Sequence, residues 1–150
     1  MATSDLEARI DRAYQLHHSH YSCAQAVACA MCDLVNLDYE VAFDTLDGFG
    51  GGMGGYDQTC GAVSGGVMIL GFGRSDGSAA CTSKRESYRI CHELCARIME
   101  HYEFDTVSCA EMRPHDQPPE VVFATCDDYI ARVVEVTYQL LEENGLLASK

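Results

Sequence analysis

The sequence predicts an all-α fold, a compact single-domain bundle of about six helices with one glycine-rich loop. Three observations predict it. Two long segments repeat apolar residues every three to four positions, which puts them on one helix face. No segment alternates apolar and polar residues with the two-residue period of a half-buried strand. The three prolines all fall between Pro114 and Pro119, so the chain on either side is free to form uninterrupted helices. The 150 residues fit one domain, 1–150, able to bury roughly 68–70% of its unfolded surface without covalent staples.

The elements follow in order. Residues 5–16 place Leu6, Ile10 and Ala13 on one face of a first helix. Residues 22–35 are alanine-rich and read as a buried helix. Residues 38–46 form a short third helix. Residues 48–55 hold six glycines in eight positions and read as a loop. A small-residue helix over 59–70 follows, with Gly61, Ala62, Gly65 and Gly66 allowing close packing. Residues 83–102 carry an apolar stripe of Tyr88, Cys91, Cys95, Ile98 and Tyr102. Residues 125–143 turn Ile130, Val133, Val134, Thr137, Leu140 and Leu141 inward, and Gly145 ends that helix.

Charge and cysteine usage narrow the function. The net charge is −13, from 23 acidic and 10 basic residues. Such a surface repels nucleic acid and anionic lipid, and Lys84-Arg85 is the longest basic cluster. Residues 1–12 hold no signal-type apolar run, and the longest apolar stretch, 26–32, is far too short to span a membrane. A cytoplasmic protein with no nucleic-acid or membrane partner is expected. Nine cysteines are an odd number, so they cannot all pair internally. Without an export signal, metal binding or redox work is the better expectation than structural disulfides. No G-x-S-x-G or His-Glu-x-x-His motif supports a hydrolase.

Four cysteines share a neighbour. Ser22-Cys23, Thr59-Cys60, Ser108-Cys109 and Thr125-Cys126 each place cysteine directly after a hydroxyl residue. With 17 Ser and Thr in the chain, chance predicts about one such pair. Each Ser or Thr also stands where a helix is expected to begin. Ser22 to Gln25 and Ser108 to Glu111 match the capping-box pattern. A cysteine in the first helical turn meets free backbone N–H groups and the positive end of the helix dipole, both of which stabilise a thiolate. The competing reading is that these residues are ordinary caps with a small filler behind them. Asp127 and Asp128 also oppose ionisation of Cys126.

The same segments carry a family resemblance: Tyr21-Ser-Cys-Ala-Gln-Ala-Val27, Gly48-Phe-Gly-Gly-Gly-Met-Gly54, Thr59-Cys-Gly-Ala-Val-Ser-Gly65, Ser108-Cys109 and Thr125-Cys126. Over residues 8–143 the chain resembles the redox-active protein family called C-GCAxxG-C-C. The family name writes Gly-Cys-Ala where this chain reads Cys60-Gly61-Ala62. The resemblance implies redox activity and a defining set of four cysteines, which fall on Cys23, Cys60, Cys109 and Cys126. The chain has no Cys-x-x-Cys-His motif, so covalent haem is not expected.

Two functional expectations result. In the first, a thiol oxidoreductase or electron carrier uses Cys60 as nucleophile, because it follows the open loop with no acid beside it. Cys23 would resolve, and Cys109 and Cys126 would form a second pair or relay. In the second, the four cysteines hold an iron–sulfur cluster or zinc. Gly51, Gly52 and Gly54 of the loop, with Gly61, are expected to bring backbone close to the Cys60 thiol or its ligand; a simple connector is the rival reading. The formal G-x-G-x-x-G over 50–55 lacks the preceding strand that dinucleotide binding needs. A structural or partner-binding domain with incidental thiols is a third reading. The redox partner is not identified by sequence, and the small-residue helix also admits a homodimer.

The remaining candidates read as structure. Cys29 and Cys32 have redox spacing but lie inside a helix. Cys91 and Cys95 fall on an apolar stripe, and Cys81 is in a polar loop. His17, His18 and His20 read as a solvated helix end, although His20 and Cys23 would also suit a shared metal. His92, His101 and His115 show no ligand spacing. Asp127-Asp128 and Glu142-Glu143 read as solvated charge.

Overall fold

A computed structural model describes residues 2–148. Its helices are α1 (Ala2–His17), α2 (Cys23–Met31), α3 (Tyr39–Thr45), α4 (Gly50–Met53), α5 (Gly61–Arg74), α6 (Lys84–Tyr102), α7 (Cys109–Met112) and α8 (Pro119–Glu143). A 3-10 turn, Cys32–Val35, continues α2. Among the described residues there is no strand, and one isolated bridge pairs Thr59 with Ser108. The fold is all-α, as predicted. No helix among these residues is long and apolar enough to cross a membrane.

The small residues of α5 decide its place at the centre. A Cβ on Gly65 would sit 2.7 Å from the Ala24 carbonyl oxygen of α2. On the opposite side, a Cβ on Gly66 would sit 2.7 Å from Thr137 Oγ1 and 2.8 Å from Leu94 Cδ2. α5 therefore touches α2 on one flank and α6 and α8 on the other, at distances that side chains of ordinary size do not permit. α1 closes the bundle against α2 and α8. The six residues predicted to face inward on α8 are all buried.

Several expectations need correction. The helix expected over 22–35 stops at Met31 and tightens into the 3-10 turn, which Asn36 ends in a left-handed conformation. On α6 the buried line is Ile90, Leu94 and Ile98. Tyr88 is 66% exposed, and Cys91 and Cys95 are half-buried at the margin of the line. Ile98 lies on the buried line as predicted, while Cys91 and Cys95 run one position from Ile90 and Leu94, along the edge of the packed face. The 48–55 segment contains a single helical turn whose Gly51 and Gly52 are left-handed inside it (φ 61° and 72°).

The largest correction concerns α8. It begins at Pro119, with Pro118 as its N-cap, and not at Thr125. Proline suits the first helical position because its missing N–H would have no helical partner there. Thr125 is an interior residue whose hydroxyl donates to the Val121 carbonyl at 2.8 Å.

Candidate functional site

Cys23, Cys60, Cys109 and Cys126 line one cavity of about 80 Å³, together with Gly51, Gly61, Ala62, Met112, Arg113 and Tyr129. Each cysteine reaches it by a different local device. Cys23 opens α2 behind a complete capping box: Gln25 N–H donates to Ser22 Oγ at 3.2 Å, and Ser22 N–H donates to Gln25 Oε1 at 3.0 Å. The Gln25 amide also donates to the Phe43 carbonyl at 3.0 Å, which ties this helix start to α3.

Cys60 is itself the N-cap of α5 in place of Thr59, so the helix starts one residue later than predicted. Its sulfur faces the N–H groups of Ala62 and Val63. The bridge between Thr59 and Ser108 then sets Cys60 beside Cys109. Cys60 N–H donates to the Val107 carbonyl at 2.7 Å, and Cys109 N–H donates to the Gln58 carbonyl at 2.5 Å. Cys109 opens α7 behind Ser108, whose Oγ accepts from Ala110 N–H at 3.2 Å and donates to the Asp57 carbonyl at 2.9 Å. Cys126 enters from the third turn of α8, so it has no helix start at all.

The glycines divide. Gly51 and Gly61 line the cavity. Gly61 also lets α5 approach α2, since a Cβ there would be 3.2 Å from Cys23 Cβ. Gly52 does not line the cavity but closes against Cys109: a Cβ there would be 2.7 Å from Cys109 Cβ, in a backbone that already disfavours side chains. Gly54 takes no part in the site and forms the left-handed end of α4.

The thiols do not all ionise easily. Burial pushes Cys60 up to about 11, against the pull of the Ala62 and Val63 N–H groups. Burial also raises Cys109, opposed by the nearby Arg113 guanidinium. Cys23 and Cys126 lie within hydrogen-bonding reach of each other. The two shift each other: Cys23 is raised by Cys126 and by burial, while Cys126 is lowered by Cys23, with help from Arg113. The expectation of four acidic thiols at four helix starts is therefore corrected. Burial holds Cys60 protonated despite its place at a helix start, and of the four thiols only Cys126 is shifted toward the thiolate.

Arg113, Met112 and Tyr129 went unremarked in the sequence. Tyr129 follows Cys126 by three residues, a spacing that puts both on one helix face, and its hydroxyl donates to the Met112 carbonyl. Arg113 is the cavity's single cationic lining residue. His17 is 6% exposed, so it is not part of a solvated helix end, whereas His18 and His20 are exposed as that reading expects.

The donor set suits metal. Among the described residues, no three of these sulfurs lie mutually within 4.8 Å. A single zinc with Zn–S bonds of about 2.3 Å draws its sulfurs to about 3.8 Å apart. A cluster interposes iron and sulfide between the thiolates and accepts wider spacing. Four thiols from four stretches of chain around one cavity are a donor set that an iron–sulfur cluster or a zinc could use.

A protein-family model described as "Putative redox-active protein (C_GCAxxG_C_C)" matches residues 21–140. No curated protein and no solved structure matches the chain. With four fifths of its length matched, the chain belongs to this family.

Proposed function

We propose, from membership of the C_GCAxxG_C_C family as premise, that the chain is an electron-transfer protein whose centre is an iron–sulfur cluster on Cys23, Cys60, Cys109 and Cys126. One observation carries this reading: four cysteines from four separate stretches of chain surround a single, largely apolar cavity. A cluster bound there would supply one-electron chemistry. The chain's own part is to hold and insulate. The apolar walls keep water from the thiolates, and the Ala62 and Val63 N–H groups and Arg113 offset the negative charge of the site. We read the chain as one functional unit of the reducing cytoplasm, in keeping with nine cysteines and a charge of −13.

The test is iron and acid-labile sulfide content, with a visible spectrum, on protein purified without oxygen. Stoichiometric iron and sulfide, on the order of two to four of each, are expected. Folded protein that is colourless and metal-free under those conditions would sink this reading.

A second reading is thiol–disulfide exchange, favoured by the contact between Cys23 and Cys126. Here the two thiols would lose two electrons and two protons to an acceptor disulfide, which leaves as two thiols. Mass spectrometry of mildly oxidised, metal-free protein separates the two readings: this one requires a Cys23–Cys126 disulfide in high yield.

A further inference from the structure

Beyond the cysteine cavity, a second cluster of metal-ligating groups stands where α1 meets α8. We propose that His17, His18 and Asp127 form a mononuclear site for a divalent first-row metal ion. A single carboxylate faces both imidazoles: His17 Nδ1 lies 2.7 Å from Asp127 Oδ1, and His18 Nε2 lies 2.8 Å from Asp127 Oδ2. The three donor atoms are all within 4.8 Å of one another. Two imidazoles and one carboxylate form a ligand set that suits zinc, iron(II), cobalt or nickel and leaves coordination positions open.

The donors are held in place before any ion arrives. The His17 ring stacks on Phe123, with centroids 4.1 Å apart and planes 8° from parallel. The His18 ring stacks on Tyr14 at 4.0 Å. His17 is buried, whereas His18 is exposed and leaves a route for an ion from solvent. The net charge of −13 favours cation uptake. The same two rings can also bond the carboxylate through their N–H groups with no ion present, and an ion would take the place of those bonds.

The position gives the site a role. Asp127 adjoins Cys126, and His17 and Cys126 line a common outer cleft with Arg113 and His115. An ion here would tie the end of α1 to α8 beside the wall of the cysteine cavity, with its open positions available to a small ligand in that cleft.

Cobalt(II) is the probe, because thiolate ligation gives intense near-ultraviolet charge-transfer bands and nitrogen–oxygen ligation gives only weak visible ones. The expected result is one equivalent of Co²⁺ bound with the weak bands alone, in the native protein and equally in Cys126→Ser. His18→Ala and Asp127→Asn should each weaken uptake roughly tenfold or more, since loss of even an outer partner of a ligand costs that much. His18 is exposed and Asn matches Asp in shape, so both variants keep the fold, which circular dichroism checks. No uptake in Cys126→Ser, uptake by sulfur bands alone, or uptake unchanged in His18→Ala and Asp127→Asn would each overturn the proposal. Iron and sulfide content of the cysteine centre stays the same in His18→Ala, so failure here is distinct from failure of the cluster reading.

Discussion

The nine cysteines include two groups that are similarly buried and differently placed. Cys29 and Cys32 are 3% and 4% exposed, less than Cys60 at 7% and Cys109 at 8%. Burial raises Cys29 and Cys91 to about 11, the same as Cys60. Yet Cys29 and Cys32, or Cys91 and Cys95, are neighbours on one stretch of chain. Their hydrogens go to nearby backbone: Cys32 donates to the Cys29 carbonyl and Cys91 to that of Val67, each at 3.7 Å. At the cavity, each thiol comes from a different stretch of chain, and together they face a shared void. A centre with four ligands needs convergence; burial and redox-like spacing do not supply it.

The sharpest way to test this contrast is to delete a thiol from each group. Cys60→Ser should lose the iron and sulfide of the centre completely, whereas Cys95→Ser should keep both. Equal retention in the two variants would erase the distinction.

A second variant attacks convergence without touching sulfur. Gly52→Ala forces a methyl against Cys109 Cβ and the Gln58 N–H, in a left-handed backbone. It should cost about 1–3 kcal/mol of stability from overpacking and strain. It should also lower cluster occupancy by displacing Cys109. Thermal unfolding and iron content on the same sample read the two effects separately.

The electrostatic part of the contrast rests on Arg113. Arg113→Met removes the cavity's cation and should make the centre harder to reduce, moving its midpoint potential negative on the order of tens of millivolts. Potentiometry that finds the potential unchanged would remove Arg113 from the account.

The smallest effect is a difference of rate. In metal-free protein at pH 8, a thiol held at about 11 is ionised in about one molecule per thousand. Iodoacetamide should therefore reach Cys126 well before Cys60, and a peptide map over time should give that order. Exposed Cys81 should react early as well, as an internal standard.

Much of this site was legible in the sequence, and the failures have physical causes. Cys23 and Cys109 sit at helix starts behind Ser22 and Ser108, because a hydroxyl cap acts within a few residues of itself. Thr125 mimics that signal, but Pro118-Pro119 upstream starts α8 earlier. Ile90 and Leu94 were passed over because a stripe traced along half-buried Cys91 and Cys95 has the same period as the packed face beside it. The low acidity of Cys60 was misjudged because a helix start contributes only about 0.3–1 kcal/mol, and desolvation in an apolar cavity exceeds that.

By itself, the sequence determined the helical class, the inward face of α8, the close-packing glycines of α5 and the set of four cysteines behind Ser or Thr. These follow from periodicity, capping and side-chain size, which act over one or two helical turns. Only the tertiary structure decided that the four thiols share one cavity, that Arg113 and Tyr129 line it with them, and that Cys126 is shifted toward the thiolate where the other three are not. It also brought His17 and His18 to Asp127, 110 and 109 residues away. Distances across the fold and the removal of water set those outcomes, and neither is a property of any short stretch of chain.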